Sequence, residues 1–94
     1  FYLDGRAAAV WGTHTHIPTA DACVLPKGTA YITDLGMTGG IESVIGVKPE
    51  QSVQYFRGYL APRFEPSDRD VRIQGFVFET DGRRAIRAER VELG

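Results

Sequence analysis

His14 and His16 are the only histidines in this 94-residue chain, and they lie two residues apart in Gly12-Thr13-His14-Thr15-His16. Neutral imidazole is the commonest side-chain ligand for metal ions. In extended backbone, residues i and i+2 face the same side about 6.6–7 Å apart. The spacing therefore predicts both rings facing one site, with Thr13 and Thr15 turned away. Three readings follow from the residues. The pair is an inert, hydrogen-bonded part of a strand-end loop. Or both rings hold one zinc ion with a carboxylate, Asp21 and Asp34 being nearest. Or each ring binds a different ion of a two-metal site, since ions ~3.5–4 Å apart, each ~2 Å from a nitrogen, suit parallel imidazoles. The chain has no third histidine and no asparagine. A complete two-metal site of the usual His/Asn/Asp kind needs ligands from outside these residues.

The elements that must position the pair can be read from the pattern. Residues 7–11 are apolar at every position, which predicts a central strand of an α/β sheet covered on both faces. Gly12 ends it, placing the histidines at a strand's carboxyl end, where ligands bind in open α/β sheets. Residues 17–28 are too short and too proline-rich for a crossover helix. Pro26-Lys27-Gly28 reads as a turn between a short apolar piece, 22–25, and a strand, 29–33. Residues 34–40 hold Gly36, Gly39 and Gly40 and predict a loop whose backbone can approach a ligand. A helix is expected over 49–60, with Pro49 at its first position and Glu50 at its positive end. Val53, Phe56 and Leu60 form its apolar stripe, and Pro62 stops it. The tail reads as a hairpin, 71–80 and 84–93, around the two-residue turn signal Asp81-Gly82. Val71, Ile73 and Val77 share one parity and Phe76 and Phe78 the other, so the first strand is expected to be covered on both faces. The second strand carries Arg84, Arg87, Glu89, Arg90 and Glu92 and reads as an exposed edge.

The remaining residues narrow the function. Eleven basic against twelve acidic residues leave a net charge of −1, giving no electrostatic case for a nucleic-acid polymer or an anionic membrane. No apolar run approaches the ~20 residues that span a bilayer. Cys23 is the single cysteine. It excludes an internal disulfide, makes a reducing cytoplasm the default setting, and reads as a small core residue rather than a nucleophile. In the 34–40 loop, Gly36 and Thr38 are candidate phosphate contacts through backbone N–H and hydroxyl; a plain strand-exit turn is the competing, slightly favoured reading. A chain beginning at Phe1-Tyr2 without Met reads as a single segment, 1–94, of something longer, or as a processed product.

Several strings carry a family resemblance. They are Asp4-Gly5-Arg6, the run from Ala9 to His16, Thr19-Ala20-Asp21, Leu25-Pro26, Gly28-Thr29-Ala30-Tyr31-Ile32-Thr33-Asp34-Leu35-Gly36-Met37-Thr38-Gly39, and Ser43-Val44-Ile45-Gly46. Together they resemble the C-terminal part of the YmdB-type calcineurin-like metallophosphoesterases, bacterial enzymes described as 2′,3′-cyclic-nucleotide 2′-phosphodiesterases. The Arg63-Phe64-Glu65 segment and the hairpin resemble it more loosely. The resemblance implies an α/β (α+β) fold, part of a four-layer sandwich, with a mixed sheet, one main helix and a C-terminal β-hairpin. It implies that His14 and His16 ligate different ions of a dinuclear centre, iron or manganese with zinc as a third candidate. It implies hydrolysis of a cyclic nucleotide or other phosphate ester by a metal-activated water. The family's other ligands and its catalytic histidine lie upstream of the matched region. No catalytic residue is therefore expected on this chain, which is expected to be inactive without the N-terminal part of the enzyme. Two alternatives remain open: a non-catalytic segment that completes a sheet or an oligomer, and a single-metal binding module.

Overall fold

The computed structural model describes residues 1–58 and 65–94. Two three-stranded sheets and one helix make up these residues. The first sheet contains β1 (Ala9–Trp11), β2 (Cys23–Val24) and β3 (Ala30–Ile32), in the order β1-β3-β2. β1 runs parallel to β3, with Ala9 opposite Ala30 and Trp11 opposite Ile32. β2 runs antiparallel to β3, with Cys23 opposite Tyr31. The expected Pro26-Lys27-Gly28 turn joins β2 to β3. It is closed by the Gly28 amide on the Leu25 carbonyl (2.8 Å) and the Leu25 amide on the Thr29 carbonyl (2.8 Å).

The central strand is therefore β3, and β1 is an edge, which corrects the expectation drawn from residues 7–11. Ala30 and Ile32 are fully buried, whereas Trp11 is 54% exposed. An unbroken apolar run shows that a strand can be covered on both faces. It does not supply the neighbours, and among the described residues only β3 pairs with β1. Cys23 is likewise exposed rather than in the core. It lies on the two-residue edge strand β2, where pairing on one side leaves it open to solvent.

Asp4 fastens the start of the chain to this sheet. Its buried carboxylate accepts the amides of Lys27 (2.9 Å) and Thr29 (3.3 Å). The Thr29 hydroxyl in turn donates to the Ala7 carbonyl (2.6 Å). Buried polar groups of this kind persist only when hydrogen-bonded, and each of these bonds spans more than twenty residues of sequence.

The second sheet is antiparallel, in the order β4-β5-β6: β4 (Thr38–Gly40), β5 (Val71–Thr80) and β6 (Ala85–Leu93). β4 falls within the expected glycine loop. Pairing of Thr38 with Ile73 and Gly40 with Val71 holds it extended, so the partner strand overrides the low strand propensity of glycine. β5 is covered on one face only. Phe76 and Phe78 are half-buried and lie with ring centroids 5.9 Å apart, while Val71, Ile73 and Val77 stay exposed. β6 is the expected edge. The connection is a four-residue loop rather than a two-residue turn. Asp81 accepts the amides of Arg83 (2.9 Å) and Arg84 (3.0 Å), drawing both residues out of the strand, and the register shifts at Glu79/Thr80. The two sheets meet where the Ala85 amide donates to the Gly28 carbonyl (2.6 Å).

The helix α1 (Pro49–Phe56) has Pro49 in its first turn and Glu50 at its positive end, as expected. It ends four residues early. The Arg57 amide bonds back to the Val53 carbonyl (3.0 Å) and the Gly58 amide to the Tyr55 carbonyl (3.1 Å). Val53 and Phe56 are exposed and Ser52 is buried, so the stripe does not pack into a core among the described residues. Leu60, Pro62, Arg63 and Phe64 lie outside them.

Candidate functional site

Gly12 sets the course of the chain after β1. A Cβ at this position would collide with the Thr33 carbonyl oxygen. Glycine therefore lets the exits of β1 and β3 run side by side, and the Gly12 carbonyl accepts the Leu35 amide (2.9 Å). The next residues do not continue as a strand. The segment 14–17 is a series of bends, and His16 has a left-handed backbone (φ 64°). The expectation that His14 and His16 share a face through strand alternation fails for that reason. Both side chains are exposed, at the end of a strand as expected.

Asp34 fixes the bend. One carboxylate oxygen accepts both the Thr15 amide (2.6 Å) and the Thr15 hydroxyl (2.7 Å). The other accepts the Gly36 amide (2.9 Å). The Gly36 amide, followed by Thr15, holds the Asp34 carboxyl below the usual carboxylate range against the opposing effect of desolvation.

His16 is held from the other side. Its Nδ1 lies 2.8 Å from the Ile45 carbonyl oxygen. A carbonyl only accepts, so Nδ1 carries the proton and donates. In the neutral ring Nε2 then keeps its lone pair. Metal-ligating histidines show this arrangement, the second nitrogen being tied to a carbonyl or carboxylate. Ile45 is itself left-handed (φ 44°), which is rare for a β-branched residue. Its turn is closed by the Val44 and Val47 amides, each on the other's carbonyl (2.9 Å), and by Ser43, whose hydroxyl donates to the Gly40 carbonyl (2.7 Å).

Asp21 is occupied by its own neighbourhood. It accepts the Thr19 hydroxyl (2.7 Å), the Thr33 amide (3.1 Å) and the Thr33 hydroxyl. These bonds, led by Thr19, lower its pKa to about 2. Among the described residues no three His, Cys, Asp or Glu side chains come together as a metal-binding group. Neither Asp21 nor Asp34 joins the histidines in a three-ligand set.

Gly36 is buried with φ 88°, and a Cβ there would strike the Gln74 side-chain oxygen. Its amide is already committed to Asp34. Thr38 is exposed on β4. A cavity of about 200 Å³ opens beside His16, walled by Pro18, Met37, Ile41, Ile45 and Gln74. The Thr15–Asp34 and His16–Ile45 contacts escape a reading of the histidines alone. The available signal was Asp34-Leu35-Gly36, an acidic residue two before a glycine, the usual signature of a side chain that bonds its own backbone.

The YmdB-like protein family model matches residues 1–92. The chain belongs to the YmdB-like family. It is 44% identical over 93 residues to a "2′,3′-cyclic-nucleotide 2′-phosphodiesterase" of Bacillus subtilis (strain 168), covering 97% of this chain and 35% of that protein. It is 43% identical over 94 residues to a "putative phosphatase/phosphodiesterase" of Mycoplasma pneumoniae, covering 97% of this chain and 34% of the relative. A crystal structure of a novel phosphatase from Mycoplasma pneumoniae superposes with TM-score 0.88 at 42% identity, over 97% of this chain and 34% of that one. A hypothetical protein from Thermus thermophilus superposes with TM-score 0.86 at 42% identity, over 98% of this chain and 36% of that one. The chain thus spans about a third of the length of these YmdB-like relatives. The α+β class with one helix and a terminal hairpin agrees with the expected fold.

Proposed function

We propose that this chain is the C-terminal portion of a metal-dependent phosphodiesterase and supplies two metal ligands, His14 and His16, to a centre completed by upstream residues. The observation that carries the reading is the His16 hydrogen bond to Ile45, which fixes the ring and leaves the Nε2 lone pair free for a metal. The names of the relatives, which are phosphodiesterases and phosphatases, support the reaction class. The substrate class is a cyclic nucleotide or another small phosphate ester.

Two divalent ions, iron or manganese with zinc as a third candidate, supply water activation and neutralisation of phosphoryl charge in such a centre. The work of this chain is positioning. His14 and His16 bind and orient, and a nitrogen engaged as a ligand does not act as a general base. Thr38 offers an exposed hydroxyl to a substrate oxygen. The buried Gly36 shapes the loop beside it, its amide being held by Asp34. A reducing, cytoplasmic setting belongs to the same proposal; among the described residues no helix is long and apolar enough to cross a membrane.

The test is made in the whole protein. His14→Ala and His16→Ala are each expected to lose metal and nearly all hydrolysis of a 2′,3′-cyclic nucleotide. Full metal content and full activity in either variant would overturn the assignment of that residue. A second reading, a sheet-completing or oligomerisation segment, is favoured by the exposed β1 and β6 edges. Sedimentation of the 94-residue chain as a monomer would count against its association part.

A further inference from the structure

We infer that Asp34 is a positioning residue for the metal-ligand pair, acting through Thr15. The inference rests on the proposed ligand role of His14 and His16. Thr15 stands between the two histidines, so whatever fixes it fixes the peptide units that carry both rings. Asp34 grips it twice with one oxygen, through the amide at 2.6 Å and the hydroxyl at 2.7 Å. That pair of bonds sets the His14–Thr15 peptide plane and the Thr15 rotamer together. The other oxygen holds the Gly36 amide, tying the histidine bend to the entry of the second sheet.

The charge of Asp34 matters as well as its shape. The residue is 2% exposed, and its carboxylate forms no ion pair among the described residues. Its oxygens accept N–H and O–H groups of Thr15 and Gly36. A buried anion without an ion-pair partner, bonded to the residue that lies between the two histidines, favours positive charge nearby. Asp34 thus contributes geometry and field without being a ligand. Outer partners of metal ligands typically change affinity by roughly 10–100-fold when removed.

The experiment uses the whole protein with Mn²⁺ as the probe, free Mn²⁺ being read by its paramagnetic resonance signal and folding by a thermal melt. Asp34→Asn preserves size but removes the charge and turns one acceptor into a donor. It is expected to weaken Mn²⁺ binding roughly 10–100-fold while the protein remains folded at the assay temperature. Thr15→Ala, which keeps the amide bond to Asp34 but deletes the hydroxyl's bonds to Asp34 and to the Ile17 backbone, is expected to act in the same direction with a smaller effect, and Thr15→Ser to restore affinity. Unchanged Mn²⁺ affinity in folded Asp34→Asn overturns the inference. If that variant unfolds, the Thr15→Ala and Thr15→Ser pair decides, and equal Mn²⁺ affinity in the two overturns it. His16→Ala is measured in parallel. Loss of Mn²⁺ there with none in Asp34→Asn rejects the positioning role alone, whereas unchanged Mn²⁺ in His16→Ala removes the metal reading and this inference together.

Discussion

Asp21 and Asp34 were equivalent in the sequence, two carboxylates near a histidine pair, and the structure gives both of them work on the backbone. Each is filled by threonine hydroxyls and amides from the strand exits around the site. For Asp21 the consequence is a pH dependence of stability. Its folded pKa is about 2 against an ordinary 3.8, so the unfolded chain takes up its proton first as the solution is acidified. The stabilisation is complete above the unfolded value and is lost as pH falls from about 4 toward 2. In the whole protein, the urea midpoint is expected to drop between about pH 4 and pH 2, and Asp21→Asn to flatten that drop. An equal drop in both proteins would show that other carboxylates dominate. The histidines were legible as an exposed pair beyond the end of a strand. Their bent backbone was not, because the left-handed turn at His16 depends on Asp34 and Ile45, residues far along the chain.

At the scale of elements, punctuation was more legible than pairing. Pro26-Lys27-Gly28 marks a true turn, Pro49 a helix start, and Asp81-Gly82 the place, though not the length, of the loop between β5 and β6. What periodicity could not give was which strand lies in the middle of the first sheet. Residues 7–11 and 29–33 are both good strands, and only the parallel register of β1 against β3 makes β3 central. Likewise the glycines at 39 and 40 spoke for a loop, and β5 overrode them. Gly12 is the joint on which the site hangs, since the β1 and β3 exits meet there with no room for a methyl group. Gly12→Ala is expected to destabilise the whole protein by about 1–3 kcal/mol, read as a lower urea midpoint at unchanged slope, and, on the proposed ligand role of the histidines, to weaken metal binding by moving their bend. A variant with unaltered midpoint and metal content would mean that the strand exits separate without cost.

At the scale of the molecule, the chain is drawn out. Its radius of gyration is 16.8 Å, with extents of 52 × 28 × 17 Å, whereas a self-contained domain of this length has about 12 Å. Only Ala30, Ile32 and Ala85 are buried apolar residues among those described, and Val53, Phe56, Val71, Ile73 and Val77 remain open to solvent. Such open apolar faces fit a chain that spans about a third of its relatives' length. The isolated 94 residues are expected to melt broadly and to bind a hydrophobic dye such as ANS at room temperature. A sharp, cooperative melt without dye binding would show that the small core suffices.

Trp11 has a further use. It is the only tryptophan, it closes the open edge strand β1, and it stands three positions before His14. Indole emission shifts to the blue when solvent leaves the ring, and paramagnetic ions nearby quench it. These 94 residues therefore carry one optical gauge, at the seam where the proposed upstream chain and the proposed ions would meet them. One emission spectrum can report a covered edge by its colour and a filled centre by its intensity.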